Sequence, residues 1–239
     1  MKMKVRRVSV VTCVLLAVLL FLVTNPASYE EIFTQIQDTE AEEVGPIKTG
    51  SDSDKKATEV LAQLEIKGRA PKTGYKRTEF YDGWPTVEGC SLRQKILKRE
   101  LGDSAALDGC NVVKGEYDEP YTGEHRVLKN REEVGKIQID HVVALSDAWQ
   151  KGAQYMTQEK RYEIATDPLN LLAVDGKANN QKSDGDAATW LPPNKKFRCQ
   201  YVARQVSVKY KYELWVTEAE KKAIEKVLEN CPNEPAIGL

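Results

Sequence analysis

Histidine is nearly missing from this chain: His125 and His141 are the only two in 239 residues. An imidazole base therefore has few places to stand. No two cysteines have the C-x-x-C spacing, which argues against a four-cysteine zinc site. No segment repeats. The longest uncharged apolar run, Val8 to Val23, has 16 residues, short of the roughly 20 that a full membrane span needs. Neither sign of charge prevails, the formal net charge being −1. With 41% apolar and 30% charged residues the chain has an ordinary globular composition, and its length admits one sizeable domain with appendages.

What is present begins with a leader. Lys2, Lys4, Arg6 and Arg7 precede the apolar run, the basic-then-apolar order of an export signal. The following Thr24-Asn25-Pro26-Ala27-Ser28 holds no clean A-x-A cleavage pattern, so residues 1–27 fit a signal peptide or an uncleaved signal anchor. The mature chain is then secreted, or held at the outer face of a membrane by this segment alone. Cys13 lies inside the run and follows Thr12, which does not suit lipid attachment. Export explains the other cysteines: Cys90, Cys110, Cys199 and Cys231 are an even set for an oxidising compartment. Three pairings are open. Cys90–Cys110 and Cys199–Cys231 are favoured because each closes a loop inside one segment, worth about 3 kcal/mol in the chain-entropy account.

Residues 28–70 hold ten acidic and five basic residues, together with Gly45-Pro46 and Gly50-Ser51-Asp52-Ser53-Asp54. They read as an acidic linker with room for a short helix carrying Val60, Leu61 and Leu64 on one face. The body is expected over residues 71–239. Its fold class reads as α+β and mainly helical. Ile96, Leu97 and Leu101 have helical spacing, and residues 111–128 look like short strands around the turn from Asp118 to Gly123. Ile137, Ile139, His141, Val143 and Leu145 alternate as on a strand. Residues 146–166 read as helical with Trp149 and Tyr162 as apolar anchors. A second strand follows at Leu169 to Val174, then a helix from about Lys177 to Thr189. Two more helices are expected at Lys196 to Tyr212 and Thr217 to Asn230, the latter opened by a capping box at Thr217 and Glu220. Tyr75, Phe80 and Trp84 read as core rather than as a base-stacking surface. His125 reads as a surface histidine.

The chemistry concentrates around His141. Asp140 stands beside it, Asn170 follows His141 after 29 residues, Asn179 comes nine later, and Lys182 three after that. A histidine near neutral pKa can take a proton from water. Asp140 and Asn179 offer oxygen ligands to a hard divalent cation and leave room for phosphate and water, as suits Mg²⁺ or Mn²⁺. Asn170 is placed to orient the imidazole through its side chain or its carbonyl. One difficulty stands: neighbours on a regular strand face opposite ways, so Asp140 and His141 share a site only if the chain bends there. Residues 176–212 carry eight basic residues against Asp184 and Asp186, a local +6 of the kind a phosphate backbone seeks. Lys182, Lys195, Arg198 and Arg204 are the candidate contacts, against the plainer reading of a solvated helix face. Hydrolysis of a phosphodiester is the reaction these parts suit.

Asp140-His141-Val142-Val143, Asp167-Pro168-Leu169-Asn170-Leu171 and Asn179-Asn180-Gln181-Lys182-Ser183-Asp184 resemble the ββα-metal motif of HNH endonucleases. The longer stretches 139–154 and 167–195 are similar to secreted HNH proteins of the group related to the C-terminal domain of GmrSD restriction enzymes. The similarity runs from about Gly74 to Cys231 and includes all four cysteines. It implies a ββα-metal core at about residues 136–190, metal ligation by Asp140 and Asn179, His141 as base and Asn170 as its positioner. Asn179 stands where the family name has its final histidine, a variant shared with the HNH domain of RNA-guided CRISPR nucleases. That departure favours Mg²⁺ or Mn²⁺ over Zn²⁺ and leaves Asn180 open as an alternative ligand. The resemblance implies an exported nuclease acting on nucleic acid, DNA first, with low sequence specificity because no recognition module is visible. Two other classes compete. An inactive extracellular nucleic-acid-binding protein would bind with EDTA present and show steep salt dependence. A structural envelope protein would show neither activity nor affinity. No protein partner is called for.

Overall fold

The computed structural model describes residues 55–238. The leader and residues 28–54 of the expected linker lie outside them. The described chain runs through α1 (Ala57–Leu61), β1 (Thr86–Val87), β2 (Cys90–Ser91), α2 (Leu92–Leu101), β3 (Ala106–Asp108), β4 (Asn111–Asp118), β5 (His125–Leu128) and α3 (Arg131–Gly135). It continues through β6 (Gln138–His141), α4 (Leu145–Gln150), α5 (Gln158–Thr166), β7 (Leu171–Val174), α6 (Gly176–Lys182), α7 (Arg198–Lys211) and α8 (Glu218–Leu228). The result mixes helices with small antiparallel sheets: β1–β2, β3–β4–β5 and β6–β7. No described helix is long and apolar enough to cross a membrane.

The β6–β7 pair is the hub. Its register sets Gln138 opposite Val174 and His141 opposite Leu171. All four residues of β7 are buried, which accounts for its unbroken apolar run: both faces are covered. Leu171 and Ala173 pack with Ile139 against α2, β4 and α3. Leu172 and Val174 face the other way, into the largest core group, with Tyr201, Val202 and Val206 of α7, Ile224 and Leu228 of α8, and Val60 and Leu61 of α1. A third group gathers Phe80, Tyr81, Leu145, Trp149 and Ile164. The disulfides are Cys90–Cys110 and Cys199–Cys231, the favoured pairing. The first ties β2 to the β3–β4 turn. The second staples α7 to the chain just beyond α8.

The packed body starts earlier than Pro71. Ala57 and Val60 have no exposed surface. The backbone of Ala57 bonds to Glu234 at 2.9 Å, and Ile66 bridges in parallel to Val216. Residues 55–70 are therefore part of the body and not linker; their apolar spacing matters more than their local charge. Arg69 then reaches Asp147 and Asp186, at 3.0 and 2.7 Å. Lys151 contacts Asp147, Asp186 and Glu220 at 2.6–2.7 Å, and Lys209 contacts Asp147 and Glu220. Three cations and three carboxylates thus close on one another; all but Arg69 are buried.

Several elements differ from expectation for local reasons. Residues 146–166 form α4 and α5 as separate helices, broken at Gly152, whose φ is +128°. Tyr162 is 43% exposed and is not an anchor, because α5 buries only Ile164 and Ala165. The second strand begins at Leu171, since Pro168–Asn170 forms a tight helical turn capped by the Asp167 side chain. Helix α6 stops at Lys182, not Thr189. Ser183 takes a positive φ of 51°, and the chain folds back so closely that a Cβ on Gly185 would lie 2.9 Å from the Lys182 carbonyl oxygen.

Candidate active site

Strand β6 ends at His141, and the bend that the sequence required follows at once. Asn170 pins it. The Asn170 carbonyl accepts the Val142 N–H at 2.8 Å, and its side-chain oxygen accepts the Val143 N–H at 2.8 Å. Its amide nitrogen donates to the carbonyls of Val143 and Ile164 at 3.3 and 3.1 Å. Asp140 and His141 consequently line one cleft of about 420 Å³, together with Gln138, Asn179 and Asn180.

The imidazole of His141 is held by others. Its Nε2 lies 2.9 Å from the carbonyl of Ala165, an atom that can only accept, so Nε2 carries the hydrogen and Nδ1 keeps a lone pair. Trp84 stacks on the ring, with planes 6° apart and centroids 6.0 Å apart, and Tyr81 packs at 5.8 Å. Burial pushes the His141 pKa down to about 3, with the charges of Arg77 and Lys182 adding to the effect against the Ala165 bond. Burial thus favours the neutral form of the ring. Asn170 orients it only indirectly, by fixing the bend and the Ile164 end of α5; the carbonyl expected from Asn170 comes from Ala165.

Asp140 is 6% exposed. One carboxylate oxygen accepts the Tyr121 hydroxyl, and the Lys182 ammonium lies 3.0 Å from both oxygens and 2.8 Å from the His141 carbonyl. Burial holds the Asp140 carboxyl above the usual range, although Lys182 and Tyr121 pull the other way. Tyr121 is presented by the β4–β5 turn. There the buried Glu119 accepts from the backbone of Tyr121 and Thr122 and from Asp175 at the start of α6. The Asp175 side chain caps α6 at the Ala178 N–H, 2.8 Å away. One turn along, Asn179 donates its amide N–H to Gln138 at 2.8 Å, which leaves its oxygen as the atom it offers to a ligand.

The donor set bears on which cation would fit. Each carboxylate oxygen has more than one lone pair, so Asp140 retains acceptor capacity beside Tyr121 and Lys182. With the Asn179 oxygen it makes a hard, oxygen-only pair suited to Mg²⁺ or Mn²⁺. Among the described residues, the grouping of Cys, His or carboxylate side chains close enough for a softer metal is Cys199, Cys231 and Glu234, whose sulfurs are joined to each other.

The expected basic surface is different. Lys182 is buried against Asp140 and cannot hold a substrate phosphate. The Arg198 Nε donates to the Pro192 carbonyl, and Arg204 to the Leu169 carbonyl, at 2.8 and 2.9 Å. Lys209 belongs to the buried ion cluster, and Lys211 pairs with Asp167 at 2.7 Å. Lys195 is exposed but does not line the cleft. Of the eight basic residues, Lys182 and Lys209 are buried and Arg198 and Arg204 are half-buried, while Lys177, Lys195, Lys196 and Lys211 stay exposed. The cleft walls carry Lys72, Tyr75, Arg77, Ser146 and Asp184 instead. Asp184 ends the Lys-Ser-Asp run, so the sequence pointed at it. Nothing local pointed at Lys72 or Arg77. His125 is exposed, as expected, and meets Asp118 at 2.9 Å and Glu116 at 3.7 Å on the facing strand.

A family model described as the C-terminal domain of GmrSD restriction endonucleases matches residues 73–227. An uncharacterized secreted protein of Arthroderma benhamiae is 35% identical over 179 residues, which cover 73% of this chain and 84% of that protein. No solved structure matches.

Proposed function

Because the chain belongs to the family of GmrSD restriction endonuclease C-terminal domains, we propose that it is an exported, metal-dependent endonuclease of the HNH type. It hydrolyses phosphodiester bonds of nucleic acid, DNA first, with little sequence specificity. In this reading β6, β7 and α6 are a ββα-metal core. The observation that carries the reading is the placing of His141: its Nε2 is tied to the Ala165 carbonyl, which leaves Nδ1 as the acceptor, and Asp140 and Asn179 line the same cleft. Export is supported by the relative described as secreted, by two disulfides and by the basic and apolar leader.

Asp140 and Asn179 would hold Mg²⁺ or, equally, Mn²⁺. When bound, that ion would supply charge neutralisation for the phosphate and the leaving oxygen. The rest falls to the chain. Nδ1 of His141 takes a proton from water as the water oxygen bonds to phosphorus. The P–O3′ bond breaks, and the departing oxygen receives a proton from solvent. Trp84 and the Ala165 carbonyl keep the imidazole from turning, so its lone pair stays toward the cleft.

The test is plasmid cleavage by the purified protein with Mg²⁺, Mn²⁺ or EDTA, with His141→Ala alongside. Nicking that needs metal and falls by about 10²–10⁴-fold in the variant is the expected result. Metal-dependent cleavage that survives His141→Ala removes the mechanism. Binding without cleavage under every metal moves the protein to the class of inactive nucleic-acid-binding proteins.

A further inference from the structure

Two cationic side chains line the cleft, and they differ in one respect. The Lys72 ammonium is 2.8 Å from Asp184, and its charge is already met. Arg77 has no carboxylate partner among the described residues. Its guanidinium lies over the Tyr81 ring at 5.1 Å from the centroid, and one of its N–H groups donates to the Tyr81 hydroxyl. Tyr81 is itself buried and packs on the His141 ring at 5.8 Å. Arg77 is thus an exposed cation tethered to the aromatic that packs on the base, with most of its N–H donors still available.

Resting on the nuclease reading, we propose that Arg77 is a further catalytic residue: it contacts the nonbridging oxygens of the phosphodiester being cut. A guanidinium presents paired N–H donors to two phosphate oxygens at once, which an ammonium cannot do. Its placement is pre-set, because the cation–π contact and the hydroxyl bond hold the fork before substrate arrives. The charge on the phosphoryl oxygens is stabilised without any proton changing hands. Lys72, tied to Asp184, contributes at most a diffuse attraction. The basic residues of α7 are not needed for this contact, which agrees with their engagement elsewhere in the fold.

Single-turnover cleavage of a labelled oligonucleotide by the purified protein, Arg77→Met, Arg77→Lys and Lys72→Met tests the assignment. Affinity is read in parallel in the His141→Ala background by fluorescence anisotropy across a salt series. For Arg77→Met the cleavage rate should fall by about 10²-fold, while the dissociation constant rises less than about tenfold and the salt slope drops by about 1. Arg77→Lys should recover part of the rate, and Lys72→Met should stay within about threefold of the native rate, a margin of under 1 kcal/mol. If Arg77→Met cleaves at the native rate, the contact does not exist, although the nuclease reading stands. Equal losses in Arg77→Met and Lys72→Met would reduce Arg77 to general charge and overturn the assignment. A native protein that cuts nothing with any metal overturns both readings together.

Discussion

Two places in this molecule take charged or polar groups out of water, and they treat them in opposite ways. Around Lys151 three cations meet three carboxylates, and each ion is neutralised by the others. Their neighbours hold the Asp186 and Asp147 carboxyls below the usual range and the Lys209 ammonium above it. At the cleft, Asp140 has its Lys182 and Tyr121, but Nδ1 of His141, the Asn179 oxygen and the Arg77 guanidinium are left with unused capacity. The first cluster is complete and ties together α4, α7, α8 and the segment before Pro71. The second is incomplete on its open side. In these two places, ion pairing on every side goes with architecture, and unused capacity goes with an open cleft.

The sharpest way to break the contrast is to open the closed cluster. Lys151→Met leaves Asp147, Asp186 and Glu220 with one cation fewer in a dry interior, and should cost about 3–5 kcal/mol in denaturant unfolding. Asn179→Ala, by contrast, should cost under about 1 kcal/mol yet remove most metal-dependent cleavage. Equal stability losses in the two variants would erase the distinction.

Lys182→Met sharpens it, because the cleft pair has an escape that the closed cluster lacks. Asp140 already resists ionisation and can take up a proton when its cation goes. The expected loss is smaller, about 1–3 kcal/mol, and it should shrink between pH 8 and pH 5 in thermal melts. A loss as large as that of Lys151→Met and independent of pH would contradict this account.

The last effect is the pH slope set by His141. Its folded pKa of about 3 lies below the ordinary 6.5, so between those values the unfolded chain binds the extra proton. Stability is therefore fully present above about pH 6.5 and is lost as pH falls toward 3, by at most about 1.4 kcal/mol per pH unit from this group. His141→Gln should flatten that part of the curve in melts followed from pH 7 to pH 4. An unchanged slope would mean that the ring is protonated in the native state.

What the sequence disclosed and what it hid divide by range. Alternation over Ile137 to Leu145 is a near-neighbour signal and marked the strand, although the strand covers only Gln138–His141 and Leu145 already opens α4. The order Asp140, His141, Asn170, Asn179 was legible as a motif, and Asp140, His141 and Asn179 line one cleft. The cysteine pairing was readable because each bridge closes a short loop, 20 and 32 residues apart. The partner of Lys182 was not readable. On a helix with Asn179 it looks like a phosphate ligand, and only the fold brings Asp140, 42 residues earlier, against it. Arg69 and Asp186 lie 117 residues apart, which no local pattern reports. The same holds for the Ala165 carbonyl, which lacks a side-chain signature altogether. A boundary drawn at Pro71 followed acidity and glycine, whereas burial of Val60 and Leu61 decided the matter.

The ends of the described body meet. Lys56 bridges Pro235, and the backbone of Ala236 bonds to Lys55 at 2.8 Å. Topologically the described body is almost a ring, with its seam beside α8. A short peptide joining residue 55 to residue 238 would add little closure entropy, and the molecule could then be reopened at an exposed turn elsewhere. A circularly permuted version should keep the same cleft while moving its point of attachment, so that whatever is fused to it leaves from a chosen side.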